Sequence, residues 1–587
     1  MGKGSRSRLN RLQEEVDAPK TGKKENQKKQ SGGKSALIMT IIVAAVVLFV
    51  IGAIVLSMLS NQGVFLRSKV VLQSDHYKVD AEMMSYFMQY TYEQWANTYG
   101  NEASTYFSFN SGATWKSQSF GSKYDAMLGY EFDEKTTWFD YFSDLSVNNA
   151  KTLMLYAEAA IADPDYDATL TKEDKDEIDA NISQMKSMYE MYKSYYEMMN
   201  SSYYSSFKAY LSAVYGKGLN ESDIRRMMEL QTTAANYYEY KSGKITDAVE
   251  ADSERVAKYL EDHPDDYVTA DYLEYLFSAE LKKPAETDYE NTEDYNAAVT
   301  EANAKFEADK TKAKENAEAL AACADEAAYK AWLRTYLSET IEEEDEEEKE
   351  KKIDEAIEGA LKSEVKPTKT NELGSWLLGY VYNADAEADA EPEKTEKAAK
   401  DAVKMIVTES ETSYSARVYC VTRAASVNEE ASKNIEMALF YKDGTFKKDA
   451  DDTGVDATAA SVKFLEAYKN ADEGTTVKEC LDSLGYTNAS AISYEDMIEG
   501  DCQYEGIEEW AFGDAKVGDY TTLNTKTSAS DSLEYVCVAH LSGESFKTWE
   551  VQVIRQLIND DIEAWFNNLN ESTTVNTNMS AMNAITK

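Results

Sequence analysis

Residues 36–59 read ALIMTIIVAAVVLFVIGAIVLSML, a run without one charged side chain. No other stretch limits the fold so sharply. A bilayer core takes about 20 apolar helical residues to cross. A secretory signal core is shorter, about 7–15 residues, and ends at a small-residue cleavage site. The sequence SMLSNQGVF offers a poor one. The run is therefore expected to be a retained transmembrane anchor. Ten Lys/Arg against four Asp/Glu in residues 1–34 put that tail in the cytoplasm. The expected location is the cell membrane, single-pass, with the N-terminus cytoplasmic and the bulk of the chain extracytoplasmic.

That bulk is acidic, and the formal net charge of the whole chain is -45. Such a surface repels phosphates, so no nucleic acid is expected as partner. A chain of 587 residues exceeds what one core can organise, which implies two to four domains. Six prolines, none after Pro392, favour long helices. Five cysteines without a CxxC pair argue against a zinc site or a disulfide framework. They read as free thiols, with a Cys480–Cys502 bridge left open.

Local signals place the elements. Lys69–Gln73 and Tyr77–Val79 read as short strands around a turn, and Asp80 as the N-cap of an apolar-faced helix. Residues 99–135 show no period and read as an irregular excursion. Helices resume at 140–161, and Thr171 caps the next. On that helix the sequence MYEMYKSYYEMMNSSYYSSFKAY, residues 188–210, concentrates Tyr and Met. Two apolar stripes follow helical spacing, one through Met185, Met188, Tyr192, Tyr195 and Met199, the other through Tyr189, Tyr196 and Tyr203. Such a helix packs on its bundle and still has rings to spare. DYVTADYLEYLF (266–277) reads as a strand. Residues 281–366, with the run EEEDEEEKEKK, read as long solvated helices inserted into a domain. Trp376 ahead of ARVYCVTRA (416–424) and Trp510 ahead of LEYVCVAHL (533–541) suggest a repeated α/β module, with NIEMALFY (434–441) as the counterpart of DYLEYLF. Residues 546–569 form a long amphipathic helix.

This layout resembles the SurA/PrsA-type extracytoplasmic foldases, on four stretches taken in order. They are KVVLQSDHYKVDAEM, YLSAVYGKGLNESDIRRMMELQTTAANYY with the following DSERVAKYLEDHPDDYVTADYLEYLF, WAFGDAKVGDYTTLNTKTSASDSLEYVCVAHL, and the last helix. The resemblance implies a helical chaperone domain carrying one or two parvulin-type prolyl isomerase domains. It also implies a His in the first and last strands of each active parvulin. At those degenerate parvulin positions this chain has Tyr275 and Arg417 in the first module and Glu534 in the second. No His is expected in these strands, with His540 read at a strand end. The resemblance therefore implies a foldase without efficient isomerase activity.

Other chemistry finds no foothold. Three histidines cannot build a His-rich metal site. Asp163, Asp165 and Asp167 have calcium-loop spacing, but Ala168 and Asp174 replace the Gly and Glu that such a loop needs. Asp449, Asp451, Thr453 and Gly454 fail likewise at Ala460. No P-loop, GxSxG or HExxH occurs. No cofactor, no metal and no catalytic residue are expected.

The resulting fold class is α+β, mostly helical, with a single transmembrane helix, a helical chaperone cradle and two small parvulin-like modules, the first with a long helical insertion. The expected divisions are a basic tail (1–35), the anchor (36–59), a SurA N-terminal-like domain (60–250), a parvulin-like module (251–425, insertion 281–366), a second module (426–545), a returning helix (546–570) and a disordered tail (571–587). The expected function is a membrane-anchored chaperone for unfolded or newly translocated polypeptides, which bind at Met188, Tyr192, Tyr195, Tyr196, Met199 and Tyr203. An active parvulin-type isomerase and a cell-envelope scaffold are the alternatives. A homo-oligomer is compatible with the sequence.

Overall fold

The computed structural model describes residues 66–99, 107, 109–120, 135–199, 201, 203–384, 392–447, 454–527 and 533–585. The chain divides into two units: 1–251 with 433–543 and 556–587, and 252–432 with 544–555.

The first unit begins where local sequence dictates. β1 (Val70–Gln73) and β2 (Lys78–Asp80) form an antiparallel pair. The Asp80 carboxylate then accepts from the N–H groups of Glu82 and Met83 at 3.1 and 3.0 Å, which starts α1 (Ala81–Tyr99). Reciprocal capping boxes open α2 (Trp138–Ala162) through Thr137 and Asp140, and α3 (Lys172–Met198) through Thr171 and Asp174. Then come α4 (Phe207–Val214) and α5 (Glu221–Ala251). The calcium-like aspartates are turn formers here. Asp163 accepts from the Asp165 N–H at 3.0 Å, and Asp167 from the Thr169 N–H at 2.9 Å.

The irregular excursion has a packing role. Phe107, Phe109, Trp115 and Phe120 are all buried against α1 and α2. Trp138 sits among them, with its ring 5.0 Å from Trp95, 5.1 Å from Phe109 and 4.8 Å from Phe120. These edge-on contacts each add about 0.5–1.5 kcal/mol to simple burial.

The β1–β2 turn is pinned to α2 by charge. The His76 N–H donates to Glu158 Oε1 at 2.7 Å, and its Nδ1 lies 2.6 Å from Oε2. That bond raises the His76 pKa. Burial pushes the Glu158 carboxyl up, but the bonds from His76 and Ser74 outweigh it and hold the group low.

The second unit holds α6 (Ser253–Asp262), β3 (Val268–Glu280), α7 (Thr292–Ala321), α8 (Glu326–Thr340), α9 (Glu346–Ala360), β4 (Leu361–Val365), α10 (Glu372–Leu378), β5 (Val403–Glu409) and β6 (Ser413–Val427). The sheet order is β4-β3-β6-β5. The expectation of a solvated insertion at 281–366 is corrected. Ala313, Ala317 and Leu320 of α7, Tyr329, Leu333 and Leu337 of α8, and Ile353 of α9 form one core with Leu273, Phe277, Val418 and Cys420 of the sheet. The charges occupy the outer faces, while small and aliphatic residues at three-to-four spacing seat the helices on the strands. The Tyr329 hydroxyl donates to the Val418 carbonyl at 2.8 Å, locking α8 to β6. α10 covers the other sheet face through Leu377 and Trp376.

Within the first unit, residues 433–543 repeat that plan. β7 (Ala431–Tyr441), α11 (Ala457–Lys469), α12 (Val477–Ser483), β8 (Ser490–Met497), α13 (Ile507–Ala511), β9 (Tyr520–Lys526) and β10 (Glu534–Lys547) follow in order. The sheet order is β8-β7-β10-β9. Numbered within each module, both sheets run 2-1-4-3, with helices after the first strand and one short helix after the second. Trp376 and Trp510 lie on those equivalent short helices. Cys480 and Cys502 belong to cores on opposite faces of this sheet and all five cysteines are free.

α14 (Thr548–Ser572) ends on the bundle, where Trp565 and Phe566 meet Tyr156 at 5.3 and 5.9 Å. The disordered tail expected at 571–587 is also corrected. β11 (Asn576–Thr577) pairs with β1, α15 (Met579–Met582) follows, and Ala581, Met582 and Ile585 are buried. Apolar side chains at these three positions supply the burial that a polar composition hides.

The transmembrane helix and the single-pass membrane location are corrected as well. No helix among the described residues is long and apolar enough to cross a membrane. The long ones are amphipathic: even α2, the most apolar in sequence, carries Asp140, Asp144, Lys151 and Glu158. Residues 1–35 and the run 36–59 lie outside the described residues.

Two measurements check this packing. Trp138→Ala is expected to lower stability by about 3–5 kcal/mol in urea unfolding. Because the His76 pKa is raised and the Glu158 pKa lowered, the pair contributes fully between about pH 4.5 and 6.5. Its contribution is lost as pH rises through the His76 value or falls through that of Glu158. The stability gap between wild type and Glu158→Gln is expected to be widest in that window and to narrow by pH 9.

Candidate functional site

α3 has two apolar faces with different fates. Ile178, Ile182, Met185 and Tyr189 are buried in the bundle core. On the outside, Met191, Tyr195, Met198 and Met199 are 57, 53, 77 and 66% exposed. Their spacing of four, three and one residues puts them on one side of the last two turns. Four large apolar side chains in adjacent exposed positions form a patch, which isolated exposed residues do not.

A ring cluster supports the patch from below. Tyr203, on the segment returning from α3, stacks on Tyr196 with centroids 4.9 Å apart and reaches Tyr192 at 6.2 Å and Tyr189 at 6.1 Å. Tyr204 meets Tyr203 edge-on at 4.7 Å, and Phe207 and Tyr210 close the floor. The Tyr189 hydroxyl donates to the Tyr204 carbonyl at 3.2 Å, fixing the return of the chain. Burial raises the Tyr203, Tyr204 and Tyr210 pKa values, so these phenols stay neutral across the physiological range. Glu190 and Glu197 are exposed on the same turns.

Of the six sequence-derived residues, Tyr192, Tyr196 and Tyr203 come together in this cluster, half-buried. Tyr195 is exposed and touches Tyr196 edge-on at 5.9 Å. Met199 is exposed as the C-cap of α3, and Met188 is half-buried on the same helix. Sequence reasoning missed Met191 and Met198, although both sit at helical spacing from Tyr195.

The degenerate parvulin positions do not form a site. Tyr275 packs edge-on against Phe277 and Tyr336 on the face covered by α7–α9. Ala416, Val418 and Cys420 of β6 share that face, so Arg417 points to the other one. There it pairs with Glu274 at 2.9 Å. Glu534 is exposed at the start of β10 and pairs with Lys442. It alternates in phase with Val536 and Val538, on the face covered by α11 and α12, so it is not the equivalent of Arg417. The cysteines of the two strands face opposite ways. Cys420 faces the long helices of its module, whereas Cys537 faces α13.

The expectation that no His lies in these strands is corrected too. His540 lies within β10, half-buried. Its ring stacks on Tyr520 at 4.2 Å, and its Nδ1 lies 3.4 Å from Glu436 Oε2 on β7. The Tyr468 hydroxyl donates to the same Glu436 oxygen at 2.5 Å. The bond from His540 holds the Glu436 carboxyl below its usual range, burial opposes this, and Tyr468 assists. The sequence signal was the in-phase pairing of NIEMALFY with LEYVCVAHL, which places Glu436 beside His540.

Among the described residues no group of three or more His, Cys, Asp or Glu could hold a metal ion. No protein-family model matches this chain, and no curated protein matches it either.

Tyr203→Ala deletes the ring shared by Tyr189, Tyr192, Tyr196 and Tyr204. For a half-buried ring the expected loss is about 2 kcal/mol, read from urea midpoints. Amide exchange of residues 192–199 is expected to speed up in the same variant, since the ring that packs on Tyr192 and Tyr196 is gone.

Proposed function

We propose that this chain binds unfolded polypeptide segments through the outer face of α3, as a chaperone. The observation that carries this reading is the exposed row Met191, Tyr195, Met198 and Met199 on a helix whose inner face is already satisfied. None of the four belongs to the core of the first unit among the described residues. Thioethers are flexible and polarisable, and tyrosine offers a flat ring with little rotamer entropy to lose. Such a face adapts to many apolar sequences. The formal charge of -45 keeps copies of the chain apart, so the patch stays available. The two 2-1-4-3 sheets are compatible with the parvulin-like modules that the foldase resemblance implies. The separation of Tyr275 from Arg417 on opposite faces supports a role in folding without efficient isomerase chemistry.

A second reading has one observation in its favour. The Glu436–His540–Tyr468 cluster is an acid–base constellation within the second module, and prolyl isomerase activity there is the alternative. A proline tetrapeptide assay separates the two: acceleration abolished by His540→Ala supports the isomerase.

The chaperone reading is tested by aggregation of chemically denatured citrate synthase on dilution. The chain is expected to suppress light scattering at a few-fold molar excess, and Met191→Glu with Met198→Glu to abolish suppression without changing the urea midpoint. Equal suppression by the folded double variant contradicts the assignment of this face.

A further inference from the structure

Residues 572–586 contain no charged side chain, in a chain that is 28% charged. The start of this uncharged segment is held as an extended peptide is held, and a single helical turn follows. β11 adds to the free edge of β1, with Leu72 opposite Thr577 and Gln73 opposite Asn576. The Asn578 N–H donates to the Val71 carbonyl at 2.8 Å. Beyond it, Ala581, Met582 and Ile585 are buried in the bundle core, and α15 rests on β1 and α1. Residues 576–580, Asn583 and Ala584 stay exposed. Lys116, whose ammonium lies 4.2 Å from the Phe139 ring centre, donates to the main-chain carbonyls of Asn583 at 2.9 Å and Ile585 at 2.8 Å.

Every polar contact in that set is to backbone. Selectivity rests on three apolar anchors, Ala581, Met582 and Ile585. A site that reads main chain and asks only for apolar side chains at three positions accepts chains other than its own. The segment's regular secondary structure is short: two residues of strand and a four-residue helix. In an acidic molecule, an uncharged segment also escapes the repulsion that an acidic one meets.

We propose that the groove formed by the β1 edge, α1 and Lys116 is a second polypeptide-binding site, filled in cis by residues 573–585 and opened when an uncharged extended segment displaces them. The inference rests on the chaperone reading for its purpose, but it uses a different surface. Displacement leaves the β1 edge and the apolar floor to the incoming chain, and the released tail returns when that chain leaves.

The test uses the full chain and a fluorescent synthetic peptide of residues 573–587. Met582→Asp with Ile585→Asp weakens the cis segment. This variant is expected to bind the peptide at least tenfold tighter than wild type, and Lys116→Met in that background to weaken binding at least fivefold. A variant that keeps its helical circular dichroism and cooperative unfolding, yet binds no better than wild type, overturns the proposal. Amide exchange on the wild-type chain gives an independent reading that needs no substitution. The amides of 578–585 are expected to exchange at least a hundredfold faster than those of α2, and faster again with saturating peptide. Exchange of both at one common rate, unaltered by peptide, overturns the proposal. The peptide assay involves neither Met191 nor Met198, so it is independent of whether the α3 face binds clients.

Discussion

The inner face of α3 is the constraint on which the functional account depends. Ile178, Ile182, Met185 and Tyr189 fill the bundle and hold the helix in place. With that face satisfied, Met191, Tyr195, Met198 and Met199 on the other side stay exposed among the described residues. An apolar helix with one buried face can either recruit another layer of the fold or leave the second face to a partner. This chain supplies a floor of tyrosines and stops. Tyr203 covers Tyr196 and Tyr192, while Met191, Tyr195, Met198 and Met199 stay exposed among the described residues. Holding the rings below in fixed contacts lowers the ordering cost of binding above them, which is the advantage of a preorganised surface.

The two sheet modules show the same economy of plan with different chemistry. Both bury both faces of a 2-1-4-3 sheet, with the helices after the first strand on one side and a short Trp-bearing helix on the other. In the first module Tyr275 is half-buried against Phe277 and Tyr336. In the second, the corresponding layer holds Glu436, His540, Tyr468 and Tyr520, a polar group set into an aromatic wall. Duplication of an architecture does not duplicate a site, because a site depends on which strand face a residue occupies.

What was legible in the sequence follows interaction range. Asp80 and Thr171 declare their caps because a cap needs only the next three residues. The buried and exposed stripes of α3 were both present at helical spacing, but the sequence could not say which one the bundle would take. The acidic helices at 281–366 were misjudged because composition averages over faces: Ala313, Ala317 and Leu320 vanish among the charges of α7 until a sheet lies beneath them. The two closing strands were matched out of phase, and period two turned that into the wrong face for Glu534. The closing strand β11 was illegible because two residues carry no pattern, and their partner β1 lies about 500 residues away in the chain.

The most direct test places a photocrosslinker on α3 and asks where an unfolded chain lies. Benzoylphenylalanine at position 195 or 199, mixed with reduced and carboxymethylated lactalbumin and irradiated, is predicted to give strong crosslinks. The same probe at Lys172 or Asp176, equally exposed on the first turns of the helix, is predicted to give few. Equal yields at all four positions, or none at 195 and 199, contradict the account.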